Sequence, residues 1–193
     1  LRNKGRKIDQ DCLVAQRIKR LSSVALKLRR FQGLRLSQIQ DIGGCRIVLP
    51  TVDAVRELVD TYRRSQIKHT LARTDDYLTR PQESGYRGVH LIYKYFSDKS
   101  AVYNDLKIEV QVRSQYQHAW ATAVETAGTF LNQSLKSSLG EADWLRFFCL
   151  MGSAIAFEEG TPPVDGTPSE YGELIDQIQD LAARLDVVNR LEV

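Results

Sequence analysis

At 193 residues, 42% apolar and 26% charged, the chain has the composition of a globular protein with room for a sizeable core. No run of about 18 apolar residues occurs, which excludes a membrane-spanning helix. The opening Leu1-Arg-Asn-Lys-Gly-Arg-Lys7 has no apolar signal-peptide core and no initiator Met, so the chain reads as a piece of a longer protein.

The net charge of +3 is small but uneven: Lys and Arg crowd residues 2–35, and the last third is acidic. That distribution suits a phosphate-rich ligand, nucleotide or nucleic acid, though a solvated basic surface gives the same pattern. Cys12, Cys45 and Cys149 are scattered without metal-ligand spacing. They fit buried thiols of a reducing, cytoplasmic compartment better than disulfides.

Residues 12–19 suit either a short strand or the front of a helix. Ser22 and Ser23 offer N-cap chemistry for a helix running through Arg30. If 12–19 is a strand, Arg17 and Lys19 share a face, and Ser23 and Lys27 share a face of the helix that follows. Three cations and a hydroxyl at a helix start can cradle a polyphosphate. Asp41 then opens the stretch Asp41-Ile-Gly-Gly-Cys-Arg46, beside two glycines that permit close backbone approach. Ile47-Val48-Leu49 reads as a buried strand ended by Pro50. A carboxylate at a strand mouth near cations can hold a magnesium ion carrying phosphates, or simply cap a turn.

From Thr51 a helix is expected, with Val52, Val55, Leu58, Val59 and Tyr62 facing inward. Residues 69–78 read as a strand followed by a loop containing Asp75, Asp76 and Tyr77. Residues 80–86 form a turn-rich loop, and 88–96 a strand with Tyr86, Arg87 and His90 at its start. Residues 107–113, Lys-Ile-Glu-Val-Gln-Val-Arg, alternate strictly. Period two puts Ile108, Val110 and Val112 on one face and Glu109, Gln111 and Arg113 on the other. This strand is expected to pair with 88–96 as a hairpin.

These stretches, taken together, resemble the RelA/SpoT synthetase domain. They are Arg17-x-Lys19-x-x-x-Ser23-x-x-x-Lys27, Asp41-Ile-Gly-Gly-Cys-Arg46, Asp76-Tyr77, Gly85-Tyr86-Arg87-Gly88-Val89-His90 and Ile108-Glu109-Val110-Gln111-Val112-Arg113, in that order across roughly residues 13–130. The resemblance implies an α+β fold, a mixed β-sheet flanked by helices, of nucleotidyltransferase type. It also implies transfer of the β,γ-pyrophosphate of ATP to a ribose 3′-hydroxyl. On this resemblance Arg17, Lys19, Ser23, Lys27 and Arg46 contact ATP, and Asp41 and Glu109 are the catalytic carboxylates and Mg2+ ligands. Tyr86 is the platform for the acceptor base, and His90, Gln111 and Arg113 are acceptor-side or supporting groups.

Two positions depart from the family pattern. Asp75 stands where many members carry Lys, and Gln82 stands where Lys often precedes the Gly-Tyr turn. The second weakens the grip expected on a phosphorylated guanosine and leaves the acceptor open between GDP or GTP, an adenosine nucleotide and the tRNA 3′ end. A catalytically inactive nucleotide- or RNA-binding module is the alternative.

With only His69, His90 and His118 present, no hydrolase metal site can be built. A synthetase standing alone resembles the small alarmone synthetases, and 117–148 resembles their toxin branch, of toxin–antitoxin and phage-defence systems. The expected organisation is a synthetase domain over 1–160, whose helices at 115–130 and 141–159 cover the sheet, a linker at 161–168 and a C-terminal amphipathic helix at 169–193. Leu174, Ile178, Leu181, Leu185 and Val188 form a narrow seam on that helix. It suits its own domain slightly better than a second copy, so an oligomer stays open. An antitoxin or C-terminal regulatory segment is a further expected partner; a membrane is not.

Overall fold

The structure, a computed structural model, describes residues 1–19, 21–33, 35–39 and 41–191, with the side chains of all but Ser22, Ser37, Lys136 and Leu191. The chain forms two compact units: Leu1–Asp75 with Val89–Ser114, and Asp76–Gly88 with the chain from Gln115 onward.

The first unit is built on a five-stranded sheet of order β1-β2-β5-β4-β3, with β1 Leu13–Ile18, β2 Gly43–Leu49, β3 Thr70–Asp76, β4 Val89–Lys94 and β5 Lys107–Ser114. β2 runs parallel to β5 and antiparallel to β1, and β4 is antiparallel to β5, so the sheet is mixed, as expected. Helices α1 (Arg2–Ile8) and α3 (Val52–Arg63) pack together and against the sheet. Thr51 caps α3 by accepting from the Ala54 amide at 3.2 Å. Val55, Leu58, Val59 and Tyr62 are buried along it, as the spacing predicts.

Side-chain alternation sorts the sheet into two faces. Ile47, Leu49, Val89, Leu91, Tyr93, Val110 and Val112 are buried, and the register places them together. Removing such side chains from water stabilises the fold by roughly 1.5–3 kcal/mol each. On the other face the register draws two rows, Arg17–Gly44–Glu109 and Ala15–Arg46–Gln111–His90.

Residues 13–18 are therefore a strand. The helix α2 starts at Leu21 and ends at Arg30. Ser22 and Ser23 thus lie inside its first turn instead of capping it, and the Ser22 side chain is outside the described set. The strand expected to end before Asp75 runs through Asp76.

The second unit is helical: α4 (Gln115–Phe130), α5 (Ala142–Glu158), α6 (Tyr171–Arg184) and α7 (Val187–Leu191). Trp144, Leu150 and Leu174 are fully buried in one core with Trp120, Val124, Phe147, Phe148, Leu181 and Leu185. The seam of α6 is thus met within its own unit by α5. Ile178 packs partly, and Val188 stays 68% exposed.

The stretch 161–168 is held to α5. The fully buried Ser153 accepts from the Val164 amide at 3.0 Å and meets the Thr167 hydroxyl at 2.9 Å. Residues 192 and 193, the end of the expected C-terminal helix, lie outside the described set. Among the described residues no helix is long and apolar enough to cross a membrane.

Candidate active site

A cleft of about 260 Å³ opens on the polar face of the first unit, lined by Arg17, Asp41, Gly44, Arg46, Glu109 and Gln111 among others. The sequence explains its shape. Gly44 lies between Arg17 and Glu109 in the register and leaves the floor without a side chain. A Cβ there would meet the Glu109 carbonyl oxygen at 2.7 Å, closer than such contacts allow.

Asp41 precedes β2 and is clasped by two ammonium groups, Lys19 Nζ at 2.5 Å and Lys27 Nζ at 3.1 Å. Burial pulls the Asp41 carboxyl up, but the hydrogen bonds and charges of Lys19 and Lys27 outweigh it and hold the group below its ordinary value. The expected convergence of Lys19 and Lys27 is therefore real, with Asp41 at its centre. Ser23 is half-buried on α2 and is not among the residues lining the cleft.

Glu109 stands on β5 inside a hydrogen-bonded frame. Its Oε1 lies 3.0 Å from His90 Nδ1, and its Oε2 accepts from Gln111 Nε2 at 2.7 Å. Gln111 Oε1 in turn accepts from Arg46 Nε at 3.2 Å and from Arg113 Nη2 at 3.1 Å. Burial raises the Glu109 carboxyl, and the Asp41 charge adds to that; His90 and Gln111 overcome both and keep it below the ordinary range.

The frame turns the Gln111 amide nitrogen toward Glu109 and its oxygen toward Arg46 and Arg113. His90, Gln111 and Arg113, read from sequence as acceptor-side or supporting groups, all belong to it. Arg113 is only 1% exposed and donates to Gln111. The frame itself could not be read from sequence, because it depends on the β4–β5 register that sets His90 opposite Gln111.

Tyr86 lies in the second unit, in the loop Asp76–Gly88. Its ring meets Tyr77 and Trp120 edge-on, at centroid distances of 5.6 and 6.2 Å. Asp76 turns the chain by accepting from the amides of Leu78 and Thr79 at 3.0 and 3.2 Å. Asp75, at the position of the first departure, pairs with Arg73 at 2.7 Å.

Among the described residues no group of three or more His, Cys, Asp and Glu side chains could hold a metal by itself. Two carboxylates on one cleft do suit magnesium, which keeps several waters and takes its other oxygens from substrate phosphates.

The pattern described as "Region found in RelA / SpoT proteins" matches residues 16–132. Over 160 residues the chain is 28% identical to GTP pyrophosphokinase YjbM of Bacillus subtilis (strain 168), a match covering 81% of this chain and 73% of that protein. GTP pyrophosphokinase YwaC of the same organism is 25% identical over 129 residues, 64% of this chain and 60% of that one. The fold is that of the small alarmone synthetase 1 from Bacillus subtilis bound to its product pppGpp, with a TM-score of 0.65 at 23% identity, over 77% of this chain and 74% of that one.

Proposed function

Because the chain belongs to the RelA/SpoT family, we propose that it transfers the β,γ-pyrophosphate of ATP to the ribose 3′-hydroxyl of GDP or GTP. The observation that carries this is the pair Asp41 and Glu109 on one basic cleft, both held below the ordinary carboxylate range. Binding alone has no use for two charged carboxylates facing a polyphosphate. The names of YjbM and YwaC and the pppGpp held by the small alarmone synthetase 1 support guanosine as the acceptor.

Arg17, Lys19, Lys27 and Arg46 neutralise and align the donor phosphates; Ser23, in the first turn of α2 and outside the cleft lining, would add a hydroxyl only to a phosphate that reaches beyond the cleft. Pyrophosphoryl transfer asks mainly for in-line positioning and charge neutralisation, which this residue set supplies. Asp41 and Glu109 are the groups to hold Mg2+, which when bound neutralises phosphate charge. Glu109 takes the proton of the attacking hydroxyl. His90 and Gln111 hold its carboxylate in one orientation, and Arg46 and Arg113 hold Gln111. Tyr86 is the platform on which the acceptor base stacks, a contact worth about 1–3 kcal/mol by analogy with base–aromatic stacking. The three thiols, none in a disulfide, suit a cytoplasmic setting.

The test follows γ-labelled ATP with magnesium, offering GDP, GTP, ATP and deacylated tRNA in parallel. Label in GDP or GTP is the expected result. Label in a 3′-pyrophosphorylated adenosine nucleotide or in tRNA, with none in a guanosine nucleotide, would overturn the guanosine assignment while keeping the chemistry, and would give weight to Gln82 and to the toxin branch. No label in any acceptor would leave the inactive binding module.

A further inference from the structure

Arg87 follows Tyr86 in the motif loop, and nothing in the chemistry above uses it. It is 2% exposed. Its Nη2 donates to Thr161 Oγ1 at 2.7 Å and to the Pro162 carbonyl at 2.6 Å, across more than seventy residues of chain. Its Nε and Nη1 have no partner among the described residues. Burying a guanidinium with donors unpaired is costly, so the fold holds it there against a penalty. The Glu159 charge offsets part of that penalty. Glu159 is itself held by Gln117 of α4, whose Nε2 donates to it at 2.7 Å.

The loop is pinned at a second point. Gly85 has φ +91° and lies against α5. A Cβ on Gly85 would fall 2.8 Å from the Phe148 carbonyl oxygen, and one on Gly152 would fall 2.4 Å from the Gly85 carbonyl oxygen. Two glycines thus let the backbones touch on one side of Tyr86, and Arg87 ties down the other. The residues that Arg87 grips begin the stretch 161–168, which Ser153 fastens to α5. Trp120, whose edge meets Tyr86, donates its indole N–H to the Phe148 carbonyl at 2.9 Å.

From this geometry we infer that Arg87 is a positioning residue for the acceptor: it couples the pose of the Tyr86 ring to the strap 161–168. The inference rests on the reading of Tyr86 as the acceptor platform. The strap is then part of the acceptor apparatus, and a change in it is felt at Tyr86 with the donor cleft unaffected.

Arg87→Lys keeps the charge but cannot reproduce the forked donor geometry. Thr161→Val removes one acceptor at nearly constant volume, and serves if the Arg87 variant fails to fold. With the acceptor identified by the labelled-transfer assay, Arg87→Lys is expected to raise its KM about tenfold and Thr161→Val about threefold, by loss of hydrogen bonds to a charged group. The KM for ATP stays within about twofold in both.

Hydrogen exchange gives a readout free of catalysis: in Thr161→Val, amides of 82–88 exchange faster together with those of 161–168. Loosening confined to 161–168, or a fall in kcat with both KM values unchanged, or equal rises in both, would overturn the inference. Tyr86→Leu separates it from its premise. If that variant leaves the acceptor KM unchanged, the platform reading fails. If it raises KM while Arg87→Lys and Thr161→Val do not, only the strap coupling fails.

Discussion

Replacing Glu109 by glutamine keeps the size of the side chain and removes its charge. The carboxylate now accepts from His90 Nδ1 at 3.0 Å and from Gln111 Nε2 at 2.7 Å. Gln111 cannot flip to suit an amide, because that would turn its NH2 group toward Arg46 and Arg113, which donate to its oxygen. The new amide oxygen must therefore face Gln111, and the new NH2 faces His90. The imidazole can answer by presenting an unprotonated Nδ1. The fold should lose only about 1 kcal/mol, the net worth of a weakened hydrogen bond.

Transfer should lose far more. Removing a general base costs about 10²–10⁴ in rate, which is about 3–5 kcal/mol of barrier. The assay is the initial rate of label transfer from γ-labelled ATP, with ATP affinity measured by calorimetry in magnesium-free buffer. The expected result is a collapsed rate with ATP affinity and melting temperature nearly unchanged. Transfer within about threefold of the unsubstituted protein would refute both the proton-acceptor role and the reading of the frame as a device for aiming Glu109.

Lys19→Met should weaken ATP binding more than Lys27→Met, because Lys19 is the less exposed and closer partner of Asp41; about tenfold against a few-fold is expected from titration calorimetry, and the reverse order would contradict the phosphate roles. Acid should destabilise the fold through Asp41 and Glu109. Both hold protons less readily when folded, so the unfolded chain binds more of them and stability falls as pH drops from the ordinary values of 3.8 and 4.5 through the lower folded ones; urea melts of Asp41→Asn with Glu109→Gln should show a flatter acid limb.

At the alkaline end, burial pushes Tyr62 up to about 12 from 10.0. The unfolded phenol ionises first, so stability present below pH 10 declines toward 12, by at most about 3 kcal/mol, and Tyr62→Phe should remove that part of the slope. Trp144 is fully buried and its indole N–H has no acceptor among the described residues. Trp144→Ala should cost about 3–5 kcal/mol and Trp144→Phe much less; equal losses in denaturant melts would show that the N–H has a partner after all.

The alternation of 107–113 and the inward stripe of 51–62 were legible because one face of each element is buried and the other is not, and periodicity records that difference. Residues 12–19 were not. β1 is an edge strand with Leu13 and Ile18 both more than half exposed, so its apolar residues carry no clear period. Asp41 and the lysines could be gathered into one region from sequence, since Lys19 follows β1, Lys27 lies in the next helix and Asp41 comes shortly after it. Their direct pairing could not, because it depends on where the backbone turns after Ile18. The support of Glu109 by His90 and the grip of Arg87 on the strap are both cross-chain contacts set by register and packing. No local pattern encodes either one. Arg87 looked like part of a binding motif, and only its burial shows that it faces inward.

The parallel pairing of β2 with β5 has a consequence for how the protein comes to be active. Arg46 and Gln111, neighbours across that pair, are 65 residues apart in sequence. The β4–β5 hairpin, by contrast, closes locally. Contacts that close long loops pay their entropy before they are rewarded, and parallel pairing is slow for that reason. The hairpin carrying Glu109 and His90 should therefore form early, and β2, which follows Asp41, should dock late. A refolding chain would acquire the Glu109 half of the cleft first. Both carboxylates would stand on one cleft only once β2 has paired with β5.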